Sequence, residues 1–176
     1  MGERPEDAAQ AVISAQIGRP LRAESKPMAV CHLGLPVVVE VPPILDDGTP
    51  FPTRYWLSCP LAVRRIGRLE AVGSIKAIDE RAALDAEFGA RLRAAHDRYR
   101  RRRDDLIPVG VTHRPTGGVG GATAGVKCLH AHYADFAAGN DNPVGEWVAP
   151  RIEPLNCIVP CVLEAALNAE WVQPRA

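Results

Sequence analysis

Apolar positions recur at helical spacing in several segments, and these segments predict the helices of the fold. Over residues 79–105 the apolar side chains lie four, four, three and four residues apart, at Leu84, Phe88, Leu92, Ala95 and Tyr99. This periodicity places them on one face of a single long helix. A shorter amphipathic helix is predicted over residues 60–72, because Pro60 suits a first turn and Gly73 suits a C-terminus.

The remaining segments complete a prediction of the fold class. Residues 5–17 and 161–172 are predicted helices, and residues 18–27 read as a linker. The β-branched run at residues 36–41 predicts a strand, with further strands at 28–32, 54–58 and 106–111. The pattern predicts an α+β fold in which a small antiparallel sheet packs with three or four helices. A loosely attached N-terminal helix and linker (1–27) would precede one domain (28–176).

Composition and charge exclude some of the classes of protein to which the chain could belong. The chain has 176 residues, which suits one domain, and its net charge is zero. Neutrality argues against a globally basic nucleic-acid binder, and no apolar run is long enough to span a membrane. The first ten residues are polar and lack the apolar stretch of a signal peptide, so we expect a cytoplasmic protein with reduced cysteines.

A helix predicted over residues 124–138 carries the densest group of reactive side chains. Projected at 3.6 residues per turn, its core face consists of Val126, Leu129, Tyr133 and Phe136. Cys128, His132 and Asp135 share one flank of that face, and His130 falls on the opposite flank. Thiol, imidazole and carboxylate are the ligand types that zinc accepts.

The sequence therefore predicts a metal site, most simply a zinc site. Its predicted ligands are Cys59, Cys128 and His132, with Cys31 or Asp135 as the fourth. The alternative is that the thiols are small buried hydrophobes and the histidines are held by hydrogen bonds. For Cys157 and Cys161 this alternative is the preferred interpretation. The usual spacings of an iron–sulfur cluster are absent. A cysteine nucleophile at Cys128, assisted by His132, is a third interpretation.

A glycine-rich loop, TGGVGGATAG (116–125), leads into this helix and predicts an anion site. Glycines let a backbone approach a ligand closely, and the following helix start offers free N–H groups. The loop matches neither the phosphate-binding nor the dinucleotide-binding fingerprint, so a flexible surface loop is the alternative. The candidate anion-binding residues are Gly118, Gly120, Gly121, Lys127 and His113.

An arginine run at the end of the long helix predicts an interaction surface, formed by Arg100, Arg101, Arg102 and Arg103. An acidic protein or a nucleic acid would suit it. Neighbouring acidic residues partly neutralise the run, and cations are favoured at a helix C-terminus, so the pattern favours a solvated helix end or a docking face for an acidic protein over nucleic acid.

Six short motifs form a recognisable series. They are CHLGLP (31–36), DGTPFPT (47–53), YWLSCP (55–60), RLE (68–70), VKCLHAH (126–132) and NPVG (142–145). Over about residues 28–148 they resemble the bacterial domain-of-unknown-function family 501 (DUF501). The resemblance implies a small cytoplasmic protein of the kind found in actinobacteria, often encoded beside a septum-formation protein and an exopolyphosphatase, and it implies no established activity. The motif positions carried over are Cys31, Cys59, Lys127, Cys128, His130 and His132, whereas Asp135 stands where histidine is common in the family.

Three functional hypotheses follow from these features. The first is a cysteine/histidine metal site on the predicted helix 124–138. The second is a non-enzymatic binding module that uses the arginine run and the glycine loop. The third is a hydrolase or transferase acting on a phosphorylated substrate, with Lys127 in its anion site.

Overall fold

The computed structural model describes residues 5–174, with side chains from residue 8 onward; residues 1–4 and 175–176 of the predicted terminal segments lie outside that range. The described chain forms six α-helices, one 3-10 helix and five short strands. In chain order they are α1 (Pro5–Ile17), β1 (Lys26–Val30), β2 (Pro36–Glu40), β3 (Tyr55–Leu57), α2 (Pro60–Ala71), α3 (Ser74–Leu84), α4 (Ala86–Asp104), a 3-10 turn (Val119–Gly121), α5 (Leu129–Ala137), α6 (Pro143–Ile152), β4 (Val162–Leu163) and β5 (Ala166–Leu167).

The three longer strands form one antiparallel sheet in the order β1-β2-β3. Strand β2 lies at its centre and is covered on both faces. Val38 belongs to the main core, whereas Val39 packs in a smaller cluster with Ile13 of α1. The alternation of side chains along a strand explains this division, because successive residues point to opposite faces.

The main core lies where α2, α5 and α6 meet one face of the sheet. Leu61 and Ile66 of α2 pack there with Leu129 of α5 and Val148 of α6, all fully buried. Helices α5 and α6 approach closely because α6 presents Gly145 at the contact. A Cβ on Gly145 would lie 2.2 Å from the Phe136 Cβ.

Helix α1 covers the opposite side of the sheet. Ile13 is fully buried there, and the Gln16 side-chain amide donates to the Pro36 carbonyl at 2.9 Å. The same helix contacts the β4–β5 hairpin. These contacts anchor the C-terminal half of the predicted N-terminal helix.

The predicted fold class is confirmed: the protein is α+β, with a small antiparallel sheet and an N-terminal helix. The helices at 5–17 and 60–72 and the strands near 28, 36 and 54 are also confirmed, to within two residues at most ends. None of the described helices is long and apolar enough to cross a bilayer.

Three element predictions were wrong. The long helix of residues 79–105 is two helices, because Asp85 is extended and its carboxylate caps α4 by accepting from the Phe88 amide at 3.0 Å. Residues 106–111 form turns instead of a strand. The predicted helix at 161–172 is the β4–β5 hairpin, whose turn residues Glu164 and Ala165 have φ values of 47° and 60°. Such positive φ values at both central residues are typical of tight hairpin turns.

Candidate metal centre

Helix α5 begins five residues later than predicted, and this changes which side chains meet. Gly125 has a φ of +66°, and the Val126 amide donates to the Asp79 carboxylate at 2.7 Å. Cys128 is extended, with φ −156° and ψ 118°, and forms the N-cap of α5. A residue outside the helix does not follow its 100° projection. The predicted alignment of Cys128 with His132 and Asp135 on one helix flank was therefore wrong.

Cys128 lies instead beside His130 and Glu70, the latter from the last turn of α2. The Cys128 Sγ is 3.8 Å from the His130 Nδ1, and that nitrogen is 3.2 Å from the Glu70 Oε1. Their ligand-type atoms all lie within 4.8 Å of one another. Glu70 is held in place by the Leu129 amide, which donates to its Oε1 at 2.7 Å.

The other nitrogen of His130 fixes the tautomer of the ring. The His130 Nε2 lies 3.0 Å from the Val63 carbonyl, which can only accept a hydrogen bond, so Nε2 carries a proton. In the neutral ring the Nδ1 lone pair then faces both the thiol and the carboxylate. Burial lowers the pKa of His130, but hydrogen bonds with Cys128 and Val63 and the charge of Glu70 outweigh it and raise the pKa to about 9.

A cavity of about 530 Å³ opens directly onto Cys128 and His130. Its walls come from the end of α1, strand β3, the start of α2 and the glycine loop. Most of the lining side chains are apolar or aromatic, and the charged ones besides His130 are Arg19 and Arg64. A concave, mostly apolar site with a few polar groups is the usual form of a small-molecule site.

His132 and Asp135 lie in a separate buried network. The His132 Nδ1 is 3.1 Å from the Asn142 Oδ1, and the Asn142 amide donates to the Asp135 Oδ2 at 2.9 Å. Arg98 pairs with the same carboxylate oxygen. Burial lowers the pKa of His132 to about 3, and burial raises the pKa of Asp135. This network joins α5 to α4 and to the start of α6.

The predicted ligands Cys31 and Cys59 lie outside the group formed with Cys128. Cys59 is 6% exposed in the main core, and burial raises the pKa of its thiol to about 11. Cys157 accepts from the Trp171 indole at 3.4 Å, and Cys161 accepts from the Gln16 amide at 3.6 Å. Between residues 8 and 174, Glu70, Cys128 and His130 are the one trio close enough to share an ion.

The glycine loop directs most of its amides inward. Gly118 donates to the Ala122 carbonyl at 2.7 Å, and Gly121 donates to the Gly118 carbonyl at 3.0 Å. A Cβ on Gly118 would lie 2.5 Å from the His96 Nδ1, so this glycine is required by close packing. Gly120 lines the cavity, while Lys127 and His113 are exposed. Anion binding by this set stays a prediction.

The arginine run divides into exposed and buried members. Arg101 is exposed, Arg100 pairs with Asp97, and Arg102 donates to Asn140. Arg103 is 1% exposed and donates to the Gly117 carbonyl at 2.6 Å, which ties α4 to the glycine loop. Its guanidinium therefore contributes no exposed surface, and an interaction role for the other three stays a prediction.

Sequence reasoning missed Glu70 and set His130 aside. Both residues lie in motifs that carry the family resemblance, RLE and VKCLHAH. The sequence contained no signal that α2 would bring Glu70 to the start of α5, because that contact joins residues about sixty positions apart.

Comparison with known proteins identifies a family and nothing beyond it. The family described as "Protein of unknown function (DUF501)" matches residues 27–150, well over half of the chain. No curated protein and no solved structure matches the chain.

Proposed function

The chain belongs to the DUF501 family, and we propose from the geometry of its own residues that it holds a divalent metal ion. Glu70, Cys128 and His130 would supply three ligands, and a fourth position would face the cavity. Zinc is the proposed ion, because it accepts this mixture of sulfur, nitrogen and oxygen.

One observation carries the proposal: three electron-rich atoms converge on one another. The Cys128 sulfur and the Glu70 oxygen both approach the same nitrogen of His130, and that nitrogen has a lone pair in the neutral ring. In metal-free protein the positive charge among the three atoms is the proton on His130, because a pKa of about 9 keeps the ring protonated and paired with Glu70 at neutral pH. A metal ion supplies that charge and satisfies all three lone pairs at once, whereas a proton on the ring satisfies them only in part.

The arrangement differs from that of a nucleophilic triad. In a triad the imidazole accepts from the nucleophile with one nitrogen and is oriented by a carboxylate at the other. Here the thiol and the carboxylate share the Nδ1 of His130, and the Nε2 is directed at the Val63 carbonyl. A ring nitrogen that donates to a backbone carbonyl is the usual support for a histidine that ligates metal through its other nitrogen.

Two of the three ligand separations are close to those around a tetrahedral ion. Zinc bonds near 2.0–2.3 Å imply ligand separations of roughly 3.3–3.6 Å around a tetrahedron. The observed separations from the His130 Nδ1 are 3.8 Å to sulfur and 3.2 Å to oxygen. Small side-chain adjustments would bring both into that range.

Three protein ligands and an open position are typical of catalytic zinc, whereas structural zinc takes four protein ligands. Metal-activated water beside a cavity would support hydrolysis, so a hydrolase is the enzymatic form of this proposal. The hypothesis of a hydrolase or transferase acting on phosphorylated compounds would use the same centre. The binding-module hypothesis would rest on Arg100, Arg101 and Arg102 instead.

Metal titration of tag-free protein tests the proposal. We expect one zinc ion per chain, and cobalt(II) substitution should give a sulfur-to-metal charge-transfer band. Cys128→Ser and Glu70→Gln should each weaken zinc binding by at least about 100-fold. Cys31→Ser and His113→Gln are matched controls, because neither residue belongs to the trio, and both should bind zinc normally.

Two results would contradict the proposal. One is the absence of stoichiometric zinc in protein that is folded by circular dichroism. The other is a Cys31→Ser variant that loses zinc while Cys128→Ser keeps it. Zinc should also protect Cys128 from alkylation by iodoacetamide, and mass spectrometry of the modified peptides would report this directly.

A further inference from the structure

We propose that the cavity beside Cys128 binds an amphipathic anion, meaning an apolar chain or ring that carries a carboxylate or a phosphate. The binding argument stands on the cavity alone. The assignment of that anion as a substrate rests on the proposed function, because the metal would act on it.

The walls of the cavity select the apolar part of the ligand. Ile17, Tyr55, Trp56, Leu57 and Val63 line it, and they come from three different elements of the fold. A volume of about 530 Å³ admits a medium-length acyl chain or a substituted ring. Burial of such a group stabilises the complex in proportion to the apolar surface removed from water.

The charged residues at the cavity indicate the charge of the ligand's polar group. Arg19 and Arg64 line it, no carboxylate does, and both arginines are exposed at its rim. Among the residues whose side chains are described, no carboxylate forms an ion pair with either of them. Two guanidinium groups without such a partner, beside an apolar wall, favour an anion over a neutral or cationic group.

Both guanidinium groups are held by aromatic rings. The Arg19 Cζ lies 5.4 Å from the centroid of the Trp56 ring, and the Arg64 Cζ lies 5.0 Å from that of Trp171. A guanidinium group stacked on a ring keeps its N–H edge free to donate. Carboxylates and phosphates accept such donors in pairs, so either group suits the two arginines.

Calorimetric titration with four matched probes tests the proposal. The probes are octanoate, octyl phosphate, octanol and octylammonium, with octanol kept below its solubility limit and the other three below their critical micelle concentrations. We expect at least one of the two anions to bind at least tenfold more tightly than octanol, and octylammonium to bind most weakly. The tighter of the two anions identifies the headgroup. Equal affinity for octanol and both anions would overturn the proposal.

Variants locate the site. In Arg19→Gln/Arg64→Gln the affinity for the anions should fall to that for octanol, while the octanol affinity stays unchanged. Arg151→Gln is the matched control, an exposed arginine that stacks on Trp147 away from the cavity, and it should bind like the wild type. An equal loss in the control variant would show nonspecific attraction and would refute the assignment. The comparison of probes on the wild type decides the question even if the double variant misfolds.

The two proposals can fail separately. The titration is run on metal-free protein in chelator and repeated with zinc. Zinc binding without preferential binding of either anion would refute the anion site and leave the metal centre intact. Preferential binding of either anion without zinc binding would support the anion site and refute the metal centre.

Discussion

Replacement of His132 should change the pH dependence of stability in a predictable direction. The His132 ring is fully buried, and burial lowers its pKa to about 3, from 6.5 in the unfolded chain. Between these values the unfolded chain binds one proton more than the folded protein, so the free energy of unfolding falls as the pH falls. From pH 6 to pH 4.5 the loss attributable to this ring is about 2 kcal/mol, and its limiting slope is about 1.4 kcal/mol per pH unit.

The surroundings of the ring support this sign. The His96 ring of α4 lies 5.5 Å away, and burial lowers the pKa of His96 also. Asp135 and Arg98 face the same network, but Arg98 already pairs with that carboxylate. Asn142 accepts from the neutral His132 ring through its Oδ1, so a second ring proton would have no partner within the network.

Guanidinium unfolding curves at several pH values measure the effect. His132→Gln should lower stability at pH 7, and its further loss between pH 6 and pH 4.5 should be about 2 kcal/mol smaller than in the wild type. His113→Gln, at an exposed position, should follow the wild-type curve. Parallel pH dependence of His132→Gln and the wild type would mean that the ring is protonated in the folded protein, and the reasoning would be refuted.

The remaining predictions concern packing and a buried cation. Gly145→Ala should destabilise the protein by about 3 kcal/mol, since its Cβ would clash with α5, whereas Gly67→Ala in α2 meets open space and should be neutral or stabilising. Thermal denaturation checks both, and equal melting temperatures would contradict the α5–α6 contact. Arg103→Lys should cost about 2 kcal/mol, because lysine cannot donate at once to the Gly117 carbonyl and to the Asp104 carboxylate, while exposed Arg101→Lys should cost nothing measurable in urea unfolding.

Local signals predicted the elements that depend on local chemistry. Pro60 opens α2 and the β-branched run forms β2, because proline geometry and branched side chains act within a few residues. The start of α5 could not be predicted in this way. It depends on Asp79, forty-seven residues earlier, which takes the Val126 amide away from a helix. Val126 was therefore wrongly assigned to the core face of a helix.

The residues of the candidate site also differ in whether local sequence signals could predict them. Cys128 was predicted because reactive side chains cluster near it, and it belongs to the observed trio. Its partner His130 was placed on the wrong side, because the projection assumed a helix that already included Cys128. Glu70 required knowledge of how α2 meets α5, which is a tertiary contact without a sequence period. Leu84, assigned to an apolar helix face, is 89% exposed because α3 ends there.

The hydrogen bond from the Leu129 amide to Glu70 gives one carboxylate two tasks. The Glu70 carboxylate holds the first turn of α5 in place, and it is also one of the three candidate metal ligands. A change such as Glu70→Asp, which withdraws the carboxylate by one methylene, would alter both tasks together. At the proposed metal site, a substitution of Glu70 that changed metal preference would therefore also weaken the start of α5, and a second substitution would be needed to restore it.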